Sequence, residues 1–283
     1  MEPVLSSMLD LMRRLPPTKI EENVEALMQI SPDYAEDLSA NVDQPLKLRV
    51  DRATGKEYLA CVYNQDGESY RSPWSNEYDP PSEDGPMPPP KLRKLEIAAN
   101  EAFDTYREMY FEGGVSSVFL WDLEDGGFAG VVLLKKTLTP ASPLEPSGSW
   151  DSIHVFETME RGRQAHYKLT STIMLQLITR RGSASGSSDA KEPVTWTHDG
   201  EISLSGSMTR QMEQDHPVQD ATSHVQNVGR MVEDMEIKMR NLLQEVYFGK
   251  TRDVVNDLRS LDDLEKARRQ RELQKELVGF IKS

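Results

Sequence analysis

From Val115 to Thr179 the chain alternates apolar runs with tight turn signals, and no helical pattern separates them. VSSVFLWDL (115–123) and FAGVVLLKK (128–136) flank Glu124-Asp125-Gly126-Gly127, where aspartate and glycine supply the backbone angles of a short hairpin turn. Trp150–Met159 and His166–Thr179 form a second pair about Arg161-Gly162. Strands joined this closely can pair only antiparallel, because a parallel crossover takes about a dozen residues or more. A last strand is expected over Val194–Leu204, after the low-complexity stretch RRGSASGSSDAKEP (180–193), which reads as a flexible loop. The centre is therefore an antiparallel sheet, and the rest of the chain has to cover it.

What flanks the sheet is helical. Val4, Leu5, Met8, Leu9, Met12 and Leu15 recur at helical spacing until Pro16-Pro17 stops them. Thr18 with Glu21 reads as a capping box opening a helix to Met28, and Ser31-Pro32-Asp33 opens another. Residues 46–62 look extended, with a turn near Thr54-Gly55, and the proline-rich connector 79–90 can be neither helix nor central strand. An amphipathic helix from Lys91 to Phe111 carries Leu92, Leu95, Ala99, Phe103, Tyr106 and Tyr110, until Gly113-Gly114 ends it. Beyond the sheet, Val225, Val228, Val232, Met235, Met239, Leu242 and Val246 keep an unbroken 3-4 spacing, a stripe that must lie on a sheet or another helix. The fold class is α+β. Short helices occupy 1–45, an irregular and extended segment with a connector helix 46–112, the antiparallel sheet 113–206, a long helix region 207–260 and an amphipathic tail 261–283.

The net charge of −14 argues against nonspecific binding to nucleic acid or to anionic membrane as the main activity, although a local basic patch is compatible with it. No apolar run reaches the ~18 residues of a membrane span, and the N-terminus lacks the pattern of a signal peptide. Cys61 is the single cysteine and no Asn-x-Ser/Thr sequon occurs, which fits a reducing, intracellular compartment.

Catalytic and metal chemistry is not visible. Asn64-Gln65-Asp66-Gly67 resembles the middle of a calcium loop, but that register puts Val62 and Pro73 where the first ligand and the bidentate acid belong. A turn at Gln65-Asp66-Gly67 is the better reading. His154, His166, His198, His216 and His224 show no metal-ligand spacing; His154 and His166 read as hydrogen-bonded sheet residues. No nucleophile elbow or phosphate-binding glycine loop is present, so no enzyme, cofactor or metal is expected. The tail is more suggestive: Leu273, Leu277, Phe280 and Ile281 line one narrow face of a heavily charged segment. Its periodicity fits a docked C-terminal helix, half of a coiled coil, or a helix laid into a partner's groove.

YNQDGESYRSPWSNEYDPP, FEGGVSSVFLWDL, WDSIHV, AHYKLTST, SGSMTRQME, VGRMVEDME and YFGKTRDVVN together resemble the β subunit of the F-actin capping protein, from LMRRLPP near the start to ELQKEL near the end. Val62 and Gln65 stand where that family carries charged residues, and the stretches 137–148 and 181–200 differ from the animal form. The resemblance implies a heterodimer with a similar α subunit. Each subunit would give stalk helices, an antiparallel sheet joining its partner's, a long helix across the sheet and a terminal amphipathic tentacle. It implies binding to the barbed end of the actin filament, in the cytoplasm. The tail would offer Leu273, Leu277 and Phe280 to a groove on actin, with Arg268, Arg269 and Arg271 steering or pairing with acidic surface. Arg230 matches a basic patch that the family also uses for acidic regulators and phosphoinositide; the alternative is an ion pair within its helix to Glu233 or Asp234. Asp66 and Glu68 are candidates to meet the basic capping-protein-interaction peptides of regulators on the stalk. The rival function is a scaffold with the same dimer fold that binds regulators and has no barbed-end activity.

Overall fold

The computed structural model describes residues 3–15, 17–123, 126–140, 146–180, 183–185, 195–197 and 201–249. The chain divides into two units, Met1–Met235 and Glu236–Ser283. The first opens with α1 (Pro3–Arg14), α2 (Ile20–Ile30) and α3 (Ala35–Asn41), then β1 (Lys47–Val50) and β2 (Glu57–Ala60). Three short strands follow, β3 (Gln65–Asp66), β4 (Ser69–Arg71) and β5 (Tyr78–Asp79), and then α4 (Pro90–Tyr110). The sheet strands are β6 (Val115–Asp122), β7 (Phe128–Leu138), β8 (Ser147–Arg161) and β9 (Gln164–Arg180). A small hairpin of β10 (Ser183–Ser185) and β11 (Thr195–Thr197) precedes β12 (Glu201–Pro217) and the long α5 (Ala221–Gln244).

The main sheet is antiparallel throughout, in the order β12-β9-β8-β7-β6. Its register runs across Val118↔Val132, Val132↔His154 and His154↔Ser171. Successive side chains point to opposite faces, and the apolar runs of β6 and β7 are continuous because both faces are covered. On one face, Val118, Leu120 and Phe156 meet Phe103 of α4 and Val228 of α5 around a small apolar cavity. On the other, Phe119, Val131, Leu133 and Ile153 form one core cluster with Met12 of α1, Ile20 of α2 and the β2 residues Tyr58 and Leu59. The short helices close over a second cluster of Leu5, Leu9 and Leu38.

The β6 edge of the sheet is sealed by side chains of α4. Asn100 donates to the Val118 carbonyl at 2.9 Å and accepts from the Val118 amide at 2.8 Å. Glu96 accepts from the Leu120 amide at 2.7 Å. Two helix residues thus satisfy the backbone groups that an edge strand leaves unpaired.

Several expectations need correction. The last strand runs Glu201–Pro217 rather than Val194–Leu204, so the sheet extends past residue 206 and the helix begins only at Ala221. Residues 183–185 of the expected loop pair with residues 195–197, the start of the expected last strand, as a small hairpin. Lys19, not Thr18, is the N-cap of α2, without a side-chain hydrogen bond, and Glu21 accepts from Lys47 at 2.8 Å instead of reaching back. Val246 lies beyond α5 in a π-turn and is exposed, while Met231 and Leu243 are buried: the helix drifts from a strict 3-4 count by its 3.6-residue turn. Within the second unit, Arg240 donates to Glu236 at 3.4 Å. The end of the expected helix region, 250–260, and the tail 261–283 lie outside the described residues.

Candidate functional site

Arg230 occupies the solvent side of α5, opposite the buried Val228, Met231, Val232 and Met235. A helix places residues three and four apart as surface neighbours, so an ion pair to Glu233 or Asp234 was the alternative reading of this residue. Among the described residues neither forms an ion pair with it. The Glu233 carboxylate is taken instead by the Tyr110 hydroxyl at the end of α4, at 3.0 Å. That hydrogen bond holds the Tyr110 phenol above its ordinary pKa. Aromatic rings deliver the hydroxyl: Tyr110 lies 4.8 Å from Tyr106, which contacts Phe103 and Phe111 at 6.1 and 6.2 Å. The tail residues Arg268, Arg269, Arg271, Leu273, Leu277 and Phe280 lie outside the described residues.

The stretch around Asp66 and Glu68 is a moulded loop. Gly67 takes φ of +57° in the turn between β3 and β4, the left-handed conformation that glycine adopts without cost. Asp66 accepts a hydrogen bond from Ser82, whereas Glu68 is exposed. Below the turn, Arg71 is bidentate to Glu96 at 2.8 Å on both arms, with Arg93 as a further partner of that carboxylate. Tyr70 and Tyr78 are buried, and Tyr63 stacks on Trp121 at 5.7 Å. The aromatic and charged residues of this stretch therefore anchor it to α4 and β6. Nearby, a cavity of about 280 Å³ opens between the first helices and the sheet, and its wall carries the ion pairs Lys47–Glu21 and Lys135–Asp151.

A buried polar chain joins the sheet to the first turn of α5. His224 hydrogen-bonds Glu160 through Nε2 at 3.1 Å and Tyr167 through Nδ1 at 2.8 Å, and Asn227 donates to the same Tyr167 oxygen at 3.1 Å. Burial pushes the His224 pKa below 6.5, against the opposing pull of Glu160. His154 pairs with Ser171 at 2.8 Å and His166 with Asp215 at 2.9 Å, both across neighbouring strands. Burial drives the Cys61 thiol up to about 12, which leaves it without a reactive thiolate. Among the described residues no group of three or more His, Cys, Asp or Glu converges on a metal position. The contacts at Tyr110 and His224 escaped the sequence because each spans a long stretch of chain, whereas Arg230 was named by the family resemblance.

Comparison with known proteins adds a family. The family model described as "F-actin capping protein, beta subunit" matches residues 5–255. A relative from Aspergillus oryzae, an F-actin-capping protein subunit beta, is 56% identical over 96% of this chain and 96% of its own. A Caenorhabditis elegans protein of the same name is 52% identical over 98% of this chain and 96% of its own. Among solved structures, the homodimeric actin capping protein alpha subunit from Plasmodium berghei matches with a TM-score of 0.52 at 15% identity. That match covers 91% of this chain and 96% of that one, and it concerns the fold.

Proposed function

This chain belongs to the F-actin capping protein β-subunit family, and from that we propose that it pairs with an α subunit and blocks subunit gain and loss at the filament's barbed end. The observation that carries the reading is identity above one half across nearly the whole length of named β subunits. Capping of this kind is occupancy rather than catalysis: a rigid platform covers the terminal protomers and excludes the next one. Its setting is the cytoplasmic actin cytoskeleton.

The parts divide the work as follows. The tail lays Leu273, Leu277 and Phe280 into an apolar groove on actin, and Arg268, Arg269 and Arg271 raise the encounter rate with its acidic surface. Arg230 adds a cation on the solvent face of α5, a feature that supports its use toward acidic protein surface, acidic regulators and phosphoinositide headgroups. Two weak tethers on one dimer raise effective concentration, so losing one weakens capping without abolishing it. The exposure of Glu68, next to the half-buried Asp66, supports their meeting a basic regulator peptide on the stalk.

The test is co-expression with an α subunit and a seeded actin elongation assay. Leu273→Asp with Leu277→Asp should leave the heterodimer intact and weaken capping about tenfold or more, the weight of two apolar anchors. Wild-type inhibition by that variant would remove the tail from the mechanism. A heterodimer that leaves elongation of seeds untouched would remove capping itself and favour the regulator scaffold.

A further inference from the structure

We propose that Tyr110 is a positioning residue for Arg230: its hydroxyl holds the Glu233 carboxylate and so keeps the Arg230 guanidinium available to an acidic protein surface at the filament end. The inference rests on the reading of Arg230 given above and adds how that residue is kept competent.

Glu233 follows Arg230 by three positions, the spacing at which opposite charges on a helix ordinarily meet. An engaged guanidinium must first give up its partner before it can bind another. In the structure the competition is settled by α4: Glu233 Oε1 accepts from the Tyr110 hydroxyl at 3.0 Å, on a different helix. A hydrogen bond to an ionised carboxylate is stronger than one between neutral groups, an exposed ion pair contributes little, and a cation placed N-terminal to its anion is the weaker order on a helix. The same order weakens Asp234, four positions on and exposed. The donor is also prearranged. Tyr110 rests against Tyr106 at 4.8 Å, and Tyr106 against Phe103 and Phe111, so little side-chain freedom is lost in holding the hydroxyl over α5.

The experiment uses the αβ heterodimer, titrated in seeded actin elongation at fixed ionic strength, with thermal melting of each variant alongside. Tyr110→Phe removes the donor, and Glu233→Asp draws the carboxylate back by one methylene; each should weaken capping about twofold, the weight of one helix ion pair. Tyr110→Phe combined with Glu233→Gln should return to the wild-type titration, because no anion is left to capture Arg230. In an Arg230→Gln background, Tyr110→Phe should change nothing further. A loss that persists in Tyr110→Phe/Glu233→Gln would mark a merely structural contact and overturn the proposal. If Arg230→Gln weakens capping while Tyr110→Phe and Glu233→Asp match the wild type, the clamp is wrong and the Arg230 reading stands. Should Arg230→Gln itself cap normally, the Arg230 reading falls and takes the proposal with it.

Discussion

His224 sits where β8, β9 and α5 meet, and its hydrogen bonds define its charge state. With Nε2–H directed at Glu160, Nδ1 accepts from the Tyr167 hydroxyl, whose oxygen is already an acceptor for Asn227. A proton on Nδ1 would leave the Tyr167 O–H without an acceptor inside a fully buried site. Burial lowers the histidine pKa; Glu160 and Asp220 pull it upward, and Lys91 adds a smaller push down. The unfolded chain therefore takes up this proton first as pH falls. The stability that neutral His224 contributes is fully present above its unfolded value near 6.5 and is lost as pH drops through the lower folded value. The melting temperature of the heterodimer should fall as the pH drops below about 6.5, with a slope that His224→Gln reduces, measured by a calorimetric pH series. An unchanged slope would detach this histidine from acid sensitivity. None of this was legible in the sequence, because Tyr167 and Glu160 lie 57 and 64 positions away from His224.

At the scale of elements, α4 does two tasks that its apolar stripe conceals. Leu92, Ala99 and Phe103 pack as their spacing predicts, but Glu96 and Asn100 are equally buried and serve the β6 edge and Arg71. Glu96→Ala would strand the buried Arg71 guanidinium and the Leu120 amide together. The expected cost is about 3–5 kcal/mol, read as a lower melting temperature. Replacing both charges, Arg71→Met with Glu96→Leu, should cost clearly less, since the expensive outcome is one buried charge without its partner. Equal losses in the two variants would show that packing, not charge, dominates there. The same contrast explains what the sequence revealed. β6 to β9 were legible because each has a continuous buried run, at 116–120, 128–134, 151–154 and 171–175, and the turns after β6 and β8 carry glycine. β12 was not: Leu204, Met208 and Met212 recur every fourth residue, as in a helix, on a strand that among the described residues pairs with β9 alone. The polar residues between them pair with β9 through their side chains as well, Thr209 with Thr172 and Gln211 with Thr170, both at 3.0 Å. Arg230 was named by the resemblance to the family, whereas the Glu233–Tyr110 contact needed the third dimension.

For the whole molecule, the two edges of the main sheet are treated differently, and this bears on how the chain exists in solution. Glu96 and Asn100 occupy the backbone groups of β6, so no further strand can add there in register. Beyond β12, no strand pairs among the described residues, although this strand runs from Glu201 to Pro217. A long unpaired edge is a template for another chain, and proteins that keep one ordinarily cover it with a partner. The family reading supplies that partner as the α subunit, whose sheet would continue from β12. Expressed alone, this chain should therefore be insoluble or associate into heterogeneous oligomers; co-expressed with α it should sediment as a single heterodimeric species. The difference should track the edge rather than overall charge, because −14 already disfavours nonspecific association. A stable, monodisperse monomer in sedimentation velocity would mean that β12 is protected within the chain, and the sheet-joining account of the heterodimer would have to be abandoned.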